Sequence, residues 1–118
     1  MKTLVLGAST HTSRYSFIAI NDLLEGGHEV IAVGKDDGEV NGIKILHDFP
    51  AGENIDTVTM YLNPVRQKDY YDKILKLKPR RIIFNPGAEN PELEKLAREN
   101  GIQTENACTL VLLSSGQY

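Results

Sequence analysis

The stretch from Thr3 to Arg14 constrains this chain more than any other. The apolar run Leu4-Val5-Leu6 ends abruptly at Gly7. Small and hydroxyl residues follow (Ala8, Ser9, Thr10, Thr12, Ser13), and a helical pattern then begins beside a cation, Arg14. A buried strand, a tight turn and a helix N-terminus in that order attract anions, through exposed backbone N–H groups and the helix dipole. The same dipole disfavours a cation at the helix start, so Arg14 makes most sense there with a phosphate beside it. Blander readings stay open. Gly7 can simply end a strand, and the hydroxyl residues can simply be loop and cap residues. Arg14 can be a surface arginine paired with a carboxylate, which is worth little. The dinucleotide fingerprint G-x-G-x-x-G is absent, since Gly7 stands alone.

Strand and helix patterns alternate along the rest of the chain. A helix is predicted from about Ser13 to Glu25, with Phe17, Ile20 and Leu24 on one face, Ile18 and Leu23 beside them, and Gly26-Gly27 as its stop. Glu29 to Val33 reads as a second strand, residues 34 to 42 as a polar turn, and Ile43 to Leu46 as a short edge strand. Phe49 to Asn54 is a loop, and Asp56 to Leu62 the next strand. Asn63-Pro64 then supplies an N-cap and a first helical residue. The helix it opens carries Val65, Tyr70, Tyr71, Ile74 and Leu75 and ends before Pro79. Arg81 to Phe84 is a fourth main strand, and Asn90-Pro91 caps a helix that closes at Asn100-Gly101. Ile102 to Glu105 is a short last strand, and Cys108 to Leu113 a terminal helix or extension.

This alternation predicts an α/β fold: a mainly parallel sheet with helices on both faces, in three αβα layers. Ligands of such sheets bind beyond the carboxyl ends of the strands, at the topological switch. Four strand ends carry unusual residues there: Gly7-Ala8-Ser9, Gly34-Lys35, Asn63-Pro64 and Asn85-Pro86-Gly87. Lys35 stands where dinucleotide folds place the residue that reads the ribose. An acid there prefers a free hydroxyl and a cation prefers a phosphate. Asp36 and Asp37 follow at once, so a phosphate contact and a solvated turn of mixed charge both fit.

Composition narrows the classes. The 118 residues suffice for one domain with one core, residues 1–118, and the net charge of −3 argues against a nucleic-acid surface. A phosphate ligand must therefore be held by local geometry. The single cysteine, Cys108, allows no disulfide within the chain, and a reducing cytoplasm is the simplest compartment. The N-terminus turns polar too soon for a signal peptide, and no apolar run approaches membrane-spanning length. His11, His28 and His47 lack metal-ligand spacing, so no metal site is expected. His11 lies in the first turn. Glu89, near the rim, fits an approach to the next helix better than a catalytic base.

The spacing Gly7-Ala8-Ser9-x-x-x-x-Arg14-x-Ser16 resembles the opening of the small CoA-binding proteins. That family is a single Rossmann domain, similar to the N-terminal domain of the succinyl-CoA synthetase alpha subunit. Gly27-His28-Glu29-Val30-Ile31-Ala32-Val33 resembles its second strand, and Asn63-Pro64 lies where it has a polar residue and proline. Pro86-Gly87-Ala88-Glu89-Asn90 resembles its Pro-Gly-Ala-x-Asn turn, and Cys108 matches a cysteine near its end. The likeness spans almost the whole chain. It implies that Gly7, Ala8, Ser9 and Arg14 hold the CoA pyrophosphate, and that Val33 and Lys35 flank the adenosine and its 3′-phosphate. It further implies that Tyr61, Leu62, Asn63 and Pro64 line the adenine side, and that Asn85, Gly87 and Ala88 line the pantetheine path. Cys108 would lie near the thiol end.

Two departures stand out. The family usually has Val-Asn-Pro after its second strand, where this chain has Val33-Gly34-Lys35, and Asn85 replaces its usual glutamine. The ligase's phosphohistidine and second domain have no counterpart. The resemblance therefore implies a cytoplasmic module that binds CoA or an acyl-CoA without catalysis. An NAD(P)-dependent oxidoreductase domain is the alternative, and the chain offers no Tyr-x-x-x-Lys or His–Asp pairing that serves it. A third reading packs the apolar tail Leu110 to Leu113 on a partner chain rather than on the domain's own core.

Overall fold

The computed structural model describes residues 2–118. Five parallel strands form the body of the sheet, with β7 at its edge: β1 (Lys2–Leu6), β2 (Glu29–Val33), β5 (Thr57–Met60), β6 (Arg81–Phe84) and β7 (Gln103–Asn106). On the β2 side the sheet continues through β4 (Ile43–Leu46), parallel to β2, and the two-residue β3 (Glu39–Val40), antiparallel to β4. The order is β3-β4-β2-β1-β5-β6-β7. The chain runs outward from β1 through β2 and β4, then returns across β1 to begin β5. That reversal creates a crevice at the carboxyl end of β1.

The inner strands are buried because both faces are covered. All four residues of β5 and of β6 are buried, as are Thr3 to Leu6. Alternation sends Leu4 and Leu6 to one face, where they join Val58, Met60, Ile82 and Phe84. Ile74 of α3 (Tyr71–Leu77) and Leu93 and Ala97 of α4 (Pro91–Glu99) cover that side. Val5 and Ala32 go to the other face, under Ile20 and Leu23 of α1 (Tyr15–Glu25) and Leu113 of α5 (Thr109–Ser114). The result is a Rossmann-like three-layer domain. The terminal helix lies on the chain's own core through Leu113, while Val111 is exposed.

Three local features differ from the sequence reading. Helix α1 starts at Tyr15 with Arg14 as its N-cap, two residues later than expected. The helix after Asn63 is broken: α2 (Pro64–Gln67) passes through a 3-10 turn (Lys68–Tyr70) into α3. The break falls at Gln67, whose buried side chain ties α2 to two rim carbonyls, while α3 places Ile74 in the core. The segment from Ile43 to Leu46 is a strand but not the edge. Asn41 and Gly42 both adopt positive φ and fold β3 back on it as a hairpin.

Candidate functional site

A cleft of about 500 Å³ opens at the carboxyl ends of β1, β2, β5 and β6. One wall belongs to the β1–α1 turn and the β2–β3 loop. Gly7 takes φ +101°, a conformation that favours glycine, and starts the turn. Its N–H and that of Ala8 both donate to the Val33 carbonyl, at 2.8 and 3.0 Å. These two amides are thus committed to the sheet, and donors for an anion fall to later residues of the turn and to α1. Gly34 packs against the same turn: a Cβ built there would lie 2.3 Å from the Ala8 carbonyl oxygen. The Ser9 hydroxyl donates to Asp36 Oδ2 at 3.1 Å, and the Thr10 amide reaches the same oxygen at 3.3 Å. These bonds hold the Asp36 carboxyl below its usual range, the Thr10 amide contributing most. The His11 amide in turn donates to Ser9 Oγ at 3.1 Å.

Helix α1 meets the cleft without a side-chain cap and without acidic residues in its first turn. Of the other helices that start at the rim, α2 and α4 are capped by their own asparagines, and the first amide of α5 is taken up by Asn85. Asn63 accepts from the Arg66 amide at 3.0 Å, and Asn90 from the Leu93 amide at 3.2 Å. Arg14, Lys35 and Arg66 line the cleft, against one acid, Asp36. Among the described residues neither guanidinium forms an ion pair. A chain of net charge −3 has therefore gathered three cations around an open helix N-terminus.

The opposite wall is laced with buried amides. Gln67 is fully buried and donates to the carbonyls of Leu62 and Ala88, both at 2.8 Å. Its own oxygen accepts from Asn90 at 2.9 Å. Asn85 donates to Thr59 Oγ1 at 2.8 Å and to the Met60 carbonyl at 2.9 Å, and accepts from the Thr109 amide at 2.9 Å. Glu89 accepts from the Gly87 amide at 2.8 Å and so closes the turn before α4. Tyr61 lines the floor, and burial pushes its hydroxyl up to about 12, so it stays a neutral phenol. Among the described residues that hydroxyl meets no well-formed hydrogen bond, although the nearby Thr59 and Thr109 hydroxyls, which bond each other at 2.8 Å, partly offset its burial.

The structure brings Gly7, Ala8, Ser9, Arg14, Lys35, Tyr61, Leu62, Asn63 and Gly87 together around the cleft. Val33 lies beneath it with its side chain in the core, and Asn85 and Ala88 are buried behind the second wall. Pro64 opens α2 just outside the lining. Cys108 is half-buried at the N-cap of α5, beyond the end of β7. Gly34, Pro86 and His11, which the sequence places on the rim or in the first turn without a ligand role, also line the cleft, as do Arg66, Tyr70 and Asp36, which the sequence does not assign to the site. For Arg66 a signal existed: it falls in the first turn of a helix whose Asn-Pro start had already been placed on the rim.

Comparison with known proteins agrees with this geometry. A crystal structure described as that of an uncharacterized protein is 51% identical, with a TM-score of 0.96, and the match covers 99% of this chain and 97% of that one. A Thermus thermophilus structure is 25% identical with a TM-score of 0.87, over 99% and 90% of the two chains. The dinucleotide forming acetyl-coenzyme A synthetase 1 of Ca. Korarchaeum cryptofilum, in complex with phosphate and ADP, shares the fold at 19% identity. Its TM-score is 0.72, and the match covers 90% of this chain but 25% of the synthetase. No match is found among curated proteins. Among the described residues no helix is long and apolar enough to cross a membrane. The family model described as CoA binding domain matches residues 1–114, and the chain belongs to that family.

Proposed function

We propose that the protein is a non-catalytic CoA-binding module of the cytoplasm, and that the cleft takes the adenosine diphosphate and pantetheine of CoA or an acyl-CoA. The observation that carries this reading is the uncapped N-terminus of α1, faced by Arg14 and Arg66. A diphosphate satisfies the open amides and neutralises the guanidinia, each in a charge-assisted hydrogen bond. The Gly7-Ala8-Ser9 turn contributes close backbone approach, and the Ser9 hydroxyl, donated to Asp36, holds the turn in shape. The adenosine lies on the Val33–Lys35 side with Tyr61, Leu62, Asn63 and Pro64 below it. The pantetheine runs past Gly87, which Asn85 and Ala88 support from behind, toward the rim that carries Cys108.

The test is calorimetry with CoA. Replacement Arg14→Ala should weaken binding by about 1–3 kcal/mol, as expected for loss of a hydrogen bond to a charged group. Unchanged affinity would remove Arg14 from the diphosphate site. Native mass spectrometry of the purified protein supplies an independent check, since a retained ligand declares its mass.

A further inference from the structure

Asp36 lies three residues beyond the end of β2, where α/β nucleotide sites place the side chain that meets the ribose. Its carboxylate is not loose. Oδ2 accepts both the Ser9 hydroxyl and the Thr10 amide, which moors it to the first turn at the edge of the cleft. Oδ1 carries no hydrogen bond among the described residues, so one acceptor remains for a ligand. Those two bonds also favour the ionised form.

Lys35, the neighbouring cation, is exposed and makes no ion pair among the described residues. The anchored charge on this side of the cleft is thus negative, and the positive one sits on a long free stem. A carboxylate fixed in this way accepts hydrogen bonds from ribose hydroxyls and repels a phosphate ester on the same ring. In the CoA-binding reading Arg14 and Arg66 are taken up by the diphosphate, and the groups that act on Asp36 by charge are Lys35 and His11.

Resting on the reading that the cleft holds an adenosine diphosphate, we propose that Asp36 is a specificity-determining residue that selects an unphosphorylated ribose. The site then takes dephospho-CoA, with its free ribose diol, in preference to CoA and its 3′-phosphate. A merely structural Asp36 would brace the turn and affect both ligands alike, which makes the ratio of their affinities the decisive quantity.

Titration calorimetry of the wild-type chain with CoA and with dephospho-CoA at low salt supplies that ratio. The expected result is a preference for dephospho-CoA of about tenfold, the size of a like-charge penalty at a half-exposed site. Asp36→Asn should close the gap by tightening CoA, and Lys35→Met should widen it by weakening CoA. Tighter binding of CoA than of dephospho-CoA by the wild type would overturn the assignment, as would an Asp36→Asn change that shifts both ligands equally. In either case the CoA-binding reading itself would stand. Failure of the wild type to bind either ligand would reject that reading, and the role of Asp36 with it. Melting curves of both variants confirm that the ratios belong to folded protein, and the wild-type ratio is decisive without any variant.

Discussion

The two walls of the cleft are built on opposite principles. The wall from β5 and β6 satisfies itself: Gln67, Asn85 and Asn90 bond one another's loops, and the helices that start there carry their own asparagine caps. The wall from β1 and β2 presents an uncapped helix, a free Arg14 guanidinium and an anchored carboxylate. Buried amides with every bond made fix a shape and have little left to offer a ligand. Unspent donors and charges do the reverse. One wall therefore holds the geometry, and the other carries most of the recognition.

That contrast breaks first if the amide wall is cut. Replacement Gln67→Ala removes three bonds of a fully buried side chain and strands the partners on both rim loops. The expected cost is about 3 kcal/mol in a urea or thermal unfolding curve. A loss below about 1 kcal/mol would show that the wall tolerates unpaired groups and is not the scaffold. Next in size is a change to the cleft's charge. Arg66→Ala should lower CoA affinity by about 1–2 kcal/mol in calorimetry while its unfolding curve barely moves. Arg66 stands on the amide wall's own helix, so this result would place one charge of the reading surface across the cleft. Asn63→Ala should cost about 1 kcal/mol of stability, the usual loss of an N-cap.

The smallest effect belongs to a control at the far end of the sheet. Arg80 donates to Asp56 at 2.9 and 3.1 Å, which, with some opposition from burial, lowers the Asp56 pKa. A lowered folded pKa adds stability above the unfolded value near 4, and that stability is lost as pH falls through the lower folded value. Asp56→Asn should therefore cost about 0.5 kcal/mol at neutral pH, and the difference from wild type should vanish under strong acid. Its CoA affinity should match the wild type. A change in affinity would show that the two ends of the strands communicate.

Much of this architecture was legible in the residues. Apolar runs ending at Gly7 and Val33, and the Asn-Pro pairs at Asn63 and Asn90, place strands and helix starts because each rests on local chemistry. The β3 hairpin was also written locally, in Asn41-Gly42, but its strand of two residues is too short to show alternation. The bonds that hold Gln67 at the break were not legible, since they depend on carbonyls contributed by Leu62 and Ala88. The same holds for the site. Gly7, Arg14 and Asn63 announce themselves by position, whereas Asp36 acquires its meaning only when folding brings Ser9 and Thr10 to it across 26 or more residues.

Gly34 carries a last consequence. With room for no side-chain carbon beside the Ala8 carbonyl, the loops after the first two strands interlock like key and ward. Any side chain at position 34 would force the opening turn farther out. Placing one there alone would wedge the rim apart, so the two loops can be transplanted only as a matched set.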